Sequence, residues 1–572
     1  MGHSRTSPRL ASLRLTEIRL PLDHAPEDVS RAVALRLGTN PNRIADYTVF
    51  RRSVDARSKA RIKLAYTIDV RLTDPAEHAA LAACPGVRPT PDLSFHAPPS
   101  APPAMRLRPV VIGTGPCGLL AALILAQSGY RPIILERGRV VRERTRDTWA
   151  LWRRGVLDPA SNVQFGEGGA GTFSDGKLWS QIKDPTHLGR KVLEEFVRAG
   201  APEEILWQAH PHIGTFRLVT MVESLRATIE QLGGEYRFNT KVTDLLIEDG
   251  PAGRVMRGVG LESGETIAAD HVVLAIGHSA RETFAVLEQC GVYLEAKPFS
   301  IGVRIEHPQS LIDRDRWGDA AGNRILGAAE YRLVHHASNG RTAYSFCMCP
   351  GGTVVAATSE PGRVVTNGMS QYSRAERNAN SGLVVDLAPA DYGGDRLGGV
   401  AFQRHWEEQA FLAGGSSYFA PAQLVGDFLA GRASTALGHV VPSYRPGVTP
   451  TDLTRCLPDF AVAAIREALP AFGRQISGYD MHDAVMTGVE TRTSAPVRIT
   501  RGADFQSLNT KGLYPAGEGA GYAGGILSAG VDGIKVAQAV VREVLAQASE
   551  IAAIPAGATP SRPYSPLTPD RG

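Results

Sequence analysis

The chain has 572 residues, of which 21% are charged and 43% hydrophobic, with a formal net charge of +4 at pH 7. That length exceeds what one hydrophobic core sustains and implies three or four domains at about 150 residues each, while so slight a positive balance gives no reason to expect nucleic acid or a membrane surface as partner. Six cysteines, at positions 84, 117, 290, 347, 349 and 456, are too sparse for a disulfide scaffold and point to a reducing cytoplasm; no leader pattern opens the chain, and its most apolar run, Leu119 to Ala126, falls far short of the roughly 20 residues a membrane span needs.

Apolar–polar alternation predicts a small α+β module over residues 1–95, with a strand from Leu13 to Leu20, a helix from Pro26 to Leu37, and strands from Ile44 to Ser53 and Ile62 to Leu72. Residues 96–104 carry four prolines and read as a stiff, solvated linker.

A dinucleotide-binding βαβ layout follows. Val110 to Ile112 form a buried parallel strand, Gly113 and Gly115 permit a tight turn and close backbone approach to a pyrophosphate, and Gly118 lets the next helix pack on the strand. Pro116 and Cys117 stand in the same phosphate turn, where a helix N-terminus favours negative charge. Ile133 to Leu135 form the second strand, and Glu136 at its end, beside Arg137, accepts hydrogen bonds from both ribose hydroxyls of an adenosine. Its carboxylate repels a 2′-phosphate, which favours FAD or NAD over NADP; this motif alone does not separate those two.

Farther on, glycines at 166, 168, 169, 171 and 176 crowd a short run more densely than a core strand tolerates, so the backbone there must approach something closely. Lys177 ends that run and faces either the ligand or solvent. Lys241-Val242-Thr243-Asp244 reads as a strand, and Asp270 to Ser279 as a strand followed by a glycine element at Gly277. From 291 to 480 strands, turns and amphipathic helices alternate in the manner of a cap or substrate domain. Cys347 and Cys349 would share one face of a strand. A disulfide between them would close a small, strained ring, and no C-x-x-C or His/Cys metal set accompanies them, so two small buried hydrophobes are the favoured reading. No second G-x-G-x-x-G follows a strand, which argues against a dedicated NAD(P) domain. The dinucleotide domain thus divides into 105–290 and 481–550, and residues 551–572, rich in Pro, Ser and Gly, are expected to be disordered.

The stretch from Gly512 to Lys535 resembles the second FAD signature of two-dinucleotide-binding flavoproteins. That resemblance implies a Rossmann-like α/β FAD-binding domain, with Gly517 and Glu518 ending an apolar strand, Glu518 on the flavin ribityl chain, and Gly525 and Ile526 opening a helix aimed at the flavin N1/C2 edge. Longer matches run from Asn162 to Leu178, Phe299 to Pro308, Tyr344 to Gly352, Thr366 to Ser370, Ala420 to Gln423 and Glu490 to Ser494. In these the chain resembles a bacterial family of FAD-dependent dehydrogenases and, more distantly, geranylgeranyl-reductase-like and aromatic-hydroxylase-like flavoproteins. The flavoprotein layout implies that Gly169, Gly171 and Thr172 offer donors to pyrophosphate and flavin, that Val242 crosses the adenine side, and that Gly277 lies near the cofactor. It also implies that Pro350, Gly351 and Gly352 form a turn lining the substrate cavity. By the same layout His482, Glu490 and Arg492 sit near the cavity mouth, Arg492 binding a substrate carboxylate and Glu490 orienting it or acting as acid or base. A structural ion pair joining cap to FAD domain is the competing reading, slightly favoured, and Arg304, Glu306 and His307 invite the same pair of readings.

These features lead to the expectation of an oxidoreductase that holds FAD non-covalently and moves a hydride between flavin N5 and a small organic substrate, as a dehydrogenase or double-bond reductase. NAD(P)H would be a transient donor at most. The alternatives are a flavin monooxygenase, or a flavoprotein whose N-terminal module binds RNA or a protein through Arg51, Arg52, Arg57 and Lys59. No metal is implied.

Overall fold

A computed structural model of the chain describes residues 12–552 except 75–81, 83, 104 and 252. The tail expected to be disordered, from residue 553 onward, lies outside the described residues.

In the N-terminal module the strand Lys63–Leu72 alternates cleanly, so that Leu64, Tyr66, Ile68, Val70 and Leu72 face inward. They pack against Val29, Val33 and Leu37 of the helix Pro26–Leu37. Asp28 accepts from the Ala25 N–H at its start, and Gly38 ends it in the left-handed region. The strands form an antiparallel sheet in the spatial order Ile44–Asp55, Lys63–Leu72, Leu13–Pro21, Val87–Pro89. This module has a hydrophobic core of its own. It is attached through Arg52, whose N–H donates to Trp207 O (2.7 Å), whose carbonyl accepts from Ala209 N (2.9 Å), and whose guanidinium lies over the Trp207 ring.

The proline-rich stretch has no regular structure, as its composition suggests, but it is not a free linker. The Ala101 N–H donates to Ser128 O, Ser128 Oγ donates to Pro98 O, and Phe95 packs on the neighbouring core beneath Lys191.

The strands Val110–Ile112, Ile133–Leu135, Glu235–Arg237, Val272–Leu274 and Leu513–Pro515 form one parallel sheet, with Val110–Ile112 at its centre. The three most central are covered on both faces, hence their unbroken apolar runs. Helix Pro116–Gln127 is apolar all round, and Cys117 to Ala126 are all buried. The long helix Ile526–Ala552 crosses it closely at Gly533, where a Cβ would lie 2.2 Å from Cys117 O. No helix among the described residues is long and apolar enough to cross a membrane.

The middle of the chain builds a second, eight-stranded sheet. Its central strand, Phe299–Pro308, lies between Asn378–Leu387 and Val485–Glu490, and Thr342–Ala356 and Ala420–Leu424 flank that trio. Val485–Glu490, assigned from sequence to the returning FAD segment, is therefore an inner strand of the cap sheet; no shift in composition at residue 480 marks this.

Candidate functional site

The glycine turn after Val110–Ile112 is built as its spacing requires. Gly113 has φ of +96°, a Cβ there would lie 2.4 Å from Ala275 O, and one on Gly118 would lie 2.0 Å from Gly113 O. No side chain caps the helix that starts at Pro116, so its first N–H groups face the cleft. The second glycine loop comes down on this turn: a Cβ on Gly169 would lie 2.7 Å from Gly115 Cα. Part of the glycine density therefore serves loop-on-loop packing rather than ligand approach.

That second loop is held by a residue the sequence reading missed. Arg144, fully buried, donates from Nε to Asn162 O (2.8 Å), from Nη2 to Val163 O (2.7 Å) and from Nη1 to Glu167 O (2.6 Å). Burial lowers its pKa to about 10. Only a distributed cluster of carbonyls specifies this role, and no motif announces it.

Glu136 behaves differently from expectation. Its carboxylate accepts from Thr114 N and Oγ1 (3.1 and 2.6 Å), Gly138 N (2.9 Å) and Gly166 N (3.0 Å), which fills its roughly four acceptor positions. It ties three loops together, and ribose hydroxyls would have to displace some of these donors. Thr172 is likewise corrected: it is buried against Arg144 and lies off the main cleft.

One continuous cleft of about 280 Å³, open to solvent at its mouth, is lined by Gly113, Gly115, Pro116, Cys117, Glu136 and Arg137, by Gly169, Gly171, Val242 and Gly277, and by Gly517, Glu518, Gly525 and Ile526. Asp532 fixes the second signature by accepting from Gly517 N (2.8 Å) while paired with Arg501. Glu518 has His278 Nδ1 at 3.6 Å and the Lys297 ammonium within electrostatic reach, and it lines the cleft.

At the far end the cleft reaches the cap sheet through Lys177, Phe346, Cys347, Asn367, Glu490, Arg492 and Thr493. Arg304, on the central strand, donates from Nε and Nη2 to the two Glu490 oxygens (2.7 and 3.0 Å), from Nη1 to Cys347 O (2.9 Å) and from Nη2 to Asn367 Oδ1 (3.1 Å). Burial, outweighing the pull of Arg304, raises the Glu490 carboxyl to about 6. Lys177 turns its ammonium to Met348 O.

At this end the favoured ion-pair reading of Arg492 agrees with its contacts, while other expectations change. Arg492 is not free to bind a substrate carboxylate: Nε and Nη2 donate to Glu407 (both 3.2 Å), and Nη1 donates to Ser279 Oγ (3.0 Å) and Ser359 Oγ (2.7 Å), joining cap to FAD domain. Arg281 grips the same Glu407 from the other domain. Pro350, Gly351 and Gly352 are not a turn and do not line the cleft; they lie buried inside the strand Thr342–Ala356, where a Cβ on Gly351 would meet Arg374 O. The lining comes instead from Phe346 and Cys347, a few residues earlier. Cys347 is no packing residue either: the register with Asn378–Leu387 slips between Phe346 and Cys349, Cys347 takes φ of +44°, and the residue is exposed and lines the cleft while Cys349 is buried. His482 is exposed beside Asp483, away from the cleft, and Glu306 and His307 are tied to Ser443 and to Tyr479 O.

The residues fit FAD. At Gly277 and Gly525, both lining the cleft, a Cβ would meet nothing within 4 Å, although φ of +72° and +92° already favours glycine there. That open cradle, with an uncapped helix N-terminus at Pro116 and the Glu518 carboxylate lining the cleft, suits a pyrophosphate and a polyol chain.

Residues 298–493 match the family model described as FAD-dependent protein, C-terminal domain-like, and residues 12–71 match a domain of unknown function. A protein of Clostridium beijerinckii, described as an uncharacterized protein, is 45% identical over 540 residues, covering 93% of this chain and 99% of its own. Among solved structures, glycine oxidase from Geobacillus kaustophilus is 12% identical with a TM-score of 0.32, covering 77% of this chain and 94% of its own. CtdE in complex with FAD is 12% identical with a TM-score of 0.29, covering 78% and 94%. These two likenesses are too loose to carry any reading of the site. With the Clostridium relative matched almost end to end, the chain belongs to the same family as that protein, and its residues 298–493 are similar to the FAD-dependent protein, C-terminal domain-like model.

Proposed function

We propose that the protein is an FAD-dependent oxidoreductase that transfers a hydride to or from a small organic substrate, as a dehydrogenase or double-bond reductase. One observation carries this reading: a single cleft joins the two glycine signatures to a buried Arg304–Glu490 pair and an exposed Cys347 on the cap sheet. FAD bound there without a covalent link supplies the hydride chemistry. The chain's own contribution is positioning and proton handling. Gly113, Gly115, Pro116, Cys117 and Gly118 present the pyrophosphate turn, Glu136, Arg137 and Val242 border the adenosine end, Gly169 and Gly171 cover the middle, and Gly277, Gly517, Glu518, Gly525 and Ile526 surround the ring end. Glu490, with its carboxyl near 6, holds or releases a proton at neutral pH. Arg304 keeps that carboxyl oriented, and Phe346 helps to exclude water.

Among the described residues one parallel sheet carries a glycine turn. A nicotinamide donor would therefore enter the same cleft weakly and compete with substrate, giving ping-pong turnover. The test is anaerobic reduction of the flavin-loaded protein, then stopped-flow mixing with organic acceptors and with oxygen. Fast reoxidation by an organic acceptor supports the reading. Oxygen consumption coupled to substrate hydroxylation would replace it with a monooxygenase, and a ternary complex with nicotinamide would show a second nucleotide site.

A further inference from the structure

The cap end of the cleft holds two cysteines in unequal settings. Cys347 stands on the bulge as an exposed residue lining the cleft, and Cys349 lies buried just behind it, its Sγ 3.4 Å from Cys347 O. A thiol in the left-handed region, at φ +44°, is held there against backbone preference. We propose that Cys347 and Cys349 form a thiol–disulfide exchange site for small disulfides, with Cys347 the attacking sulfur and Cys349 the resolving one.

Position makes that division: Cys347 is exposed and lines the cleft, whereas Cys349 is buried. Arg304 and Lys177 face both cysteines from the central strand and the glycine loop, with Asp175 and Glu490 as the acids opposing them at Cys347 and Arg374 on the Cys349 side. The hydrogen bond from Cys349, then Arg304 and Lys177, pulls the Cys347 thiol below its usual range despite burial, and the same contact pushes Cys349 up. A thiolate at the open position and a protonated thiol behind it is the arrangement an attacking and a resolving cysteine need. The small ring argues against a structural disulfide but not against this one, because strained disulfides are the readily reduced ones.

In the exchange the Cys347 thiolate displaces one thiolate from R–S–S–R and forms a mixed disulfide. Cys349 then loses its proton and displaces the second thiolate as the Cys347–Cys349 bond forms. Two electrons pass from the cysteine pair to the small disulfide, which leaves as one thiolate and one thiol, the latter carrying the Cys349 proton.

The experiment treats the full-length, flavin-loaded protein with excess glutathione disulfide, quenches with acid, alkylates, and maps the tryptic peptide 342–363, which contains both cysteines. The expected result is a peptide two hydrogens lighter with neither cysteine alkylated. Cys349→Ala should trap glutathione on Cys347, and Cys347→Ala should leave Cys349 unmodified. At pH 6 iodoacetamide should label Cys347 several-fold faster than free glutathione. Both cysteines alkylated after oxidant, or a stable glutathione adduct on wild-type Cys347 with Cys349 still free, would overturn the proposal. Neither result bears on hydride transfer, which is read from the flavin.

Discussion

The two ends of the cleft are made in opposite ways. The glycine-turn end is mostly backbone: glycine turns at Gly113 and Gly169, an uncapped helix start at Pro116, and carboxylates such as Glu136 and Asp532 that hold loops rather than reach outward. The cap end is mostly side chains, brought together by sheet register from positions as far apart as 304, 347 and 490. A backbone site tolerates little change but asks little of distant sequence. A side-chain site depends on buried charges whose partners lie on other strands.

The largest effect expected from this contrast lies in the Arg304–Glu490 pair. Removing one partner of a buried ion pair leaves an uncompensated charge and costs about 3–5 kcal/mol. Glu490→Ala and Arg304→Met should each lower the unfolding free energy by that amount, read from urea unfolding, and the double variant Arg304→Met, Glu490→Met should recover much of it. Equal losses that simply add would show that the pair is not coupled.

Next come the glycines, which separate two uses of the same residue. Gly169→Ala forces a Cβ into Gly115 and should cost about 3 kcal/mol together with flavin retention. Gly277→Ala meets open space and carries only left-handed strain of about 1 kcal/mol, yet should lose flavin as severely. Flavin titration beside urea unfolding distinguishes them, and a Gly277→Ala protein with native flavin affinity would mean that the cradle is not where FAD lies.

At the carboxylates the effect is smaller. Glu136→Ala strands backbone N–H groups of three loops and should cost about 2 kcal/mol of stability as well as flavin affinity. Glu518→Ala, which holds no loop, should weaken flavin roughly tenfold to a hundredfold, as for a charged hydrogen bond of about 1.5–3 kcal/mol, with stability unchanged. If Glu136→Ala alters only affinity, its carboxylate serves the ligand rather than the loops.

The smallest effect is in pH. The Glu490 carboxyl is raised in the folded state, from 4.5 to about 6, so the native protein binds the proton more tightly than the unfolded chain does. The stability this contributes is complete below about 4.5 and is lost as pH rises through about 6, amounting to about 2 kcal/mol. Subtracting the stability profile of Glu490→Gln from that of the wild type should reveal this fall, whereas a difference that grows with pH in that interval would contradict the burial argument.

The same contrast explains what could be read from the chain alone. The N-terminal strands and helix, the βαβ turn and the second glycine signature are local patterns, and each stands where its spacing places it. Arg304 and Glu490 are 186 positions apart and meet only through strand register, which no window of sequence reports. Pro350-Gly351-Gly352 carries every mark of a turn, but Cys349 and Gly352 on either side of the Pro350-Gly351 register slip pair with Asn380 and Asn378, and pairing with Thr366–Met369 starts at Thr353, so sheet context carries the strand on against local preference. The bulge that exposes Cys347 arises from a register slip, again a property of the pairing. Arg492 could be read either as a ligand or as a strut until Glu407, Ser279 and Ser359 were seen around it.

The most direct test of the central claim, that this cleft holds FAD through backbone and hydrogen bonds alone, is acid precipitation of the purified protein with mass spectrometry of the supernatant. The account predicts FAD, released intact, with a colourless pellet. FMN in the supernatant, flavin retained on the precipitated chain, or no flavin from a well-folded preparation would contradict it.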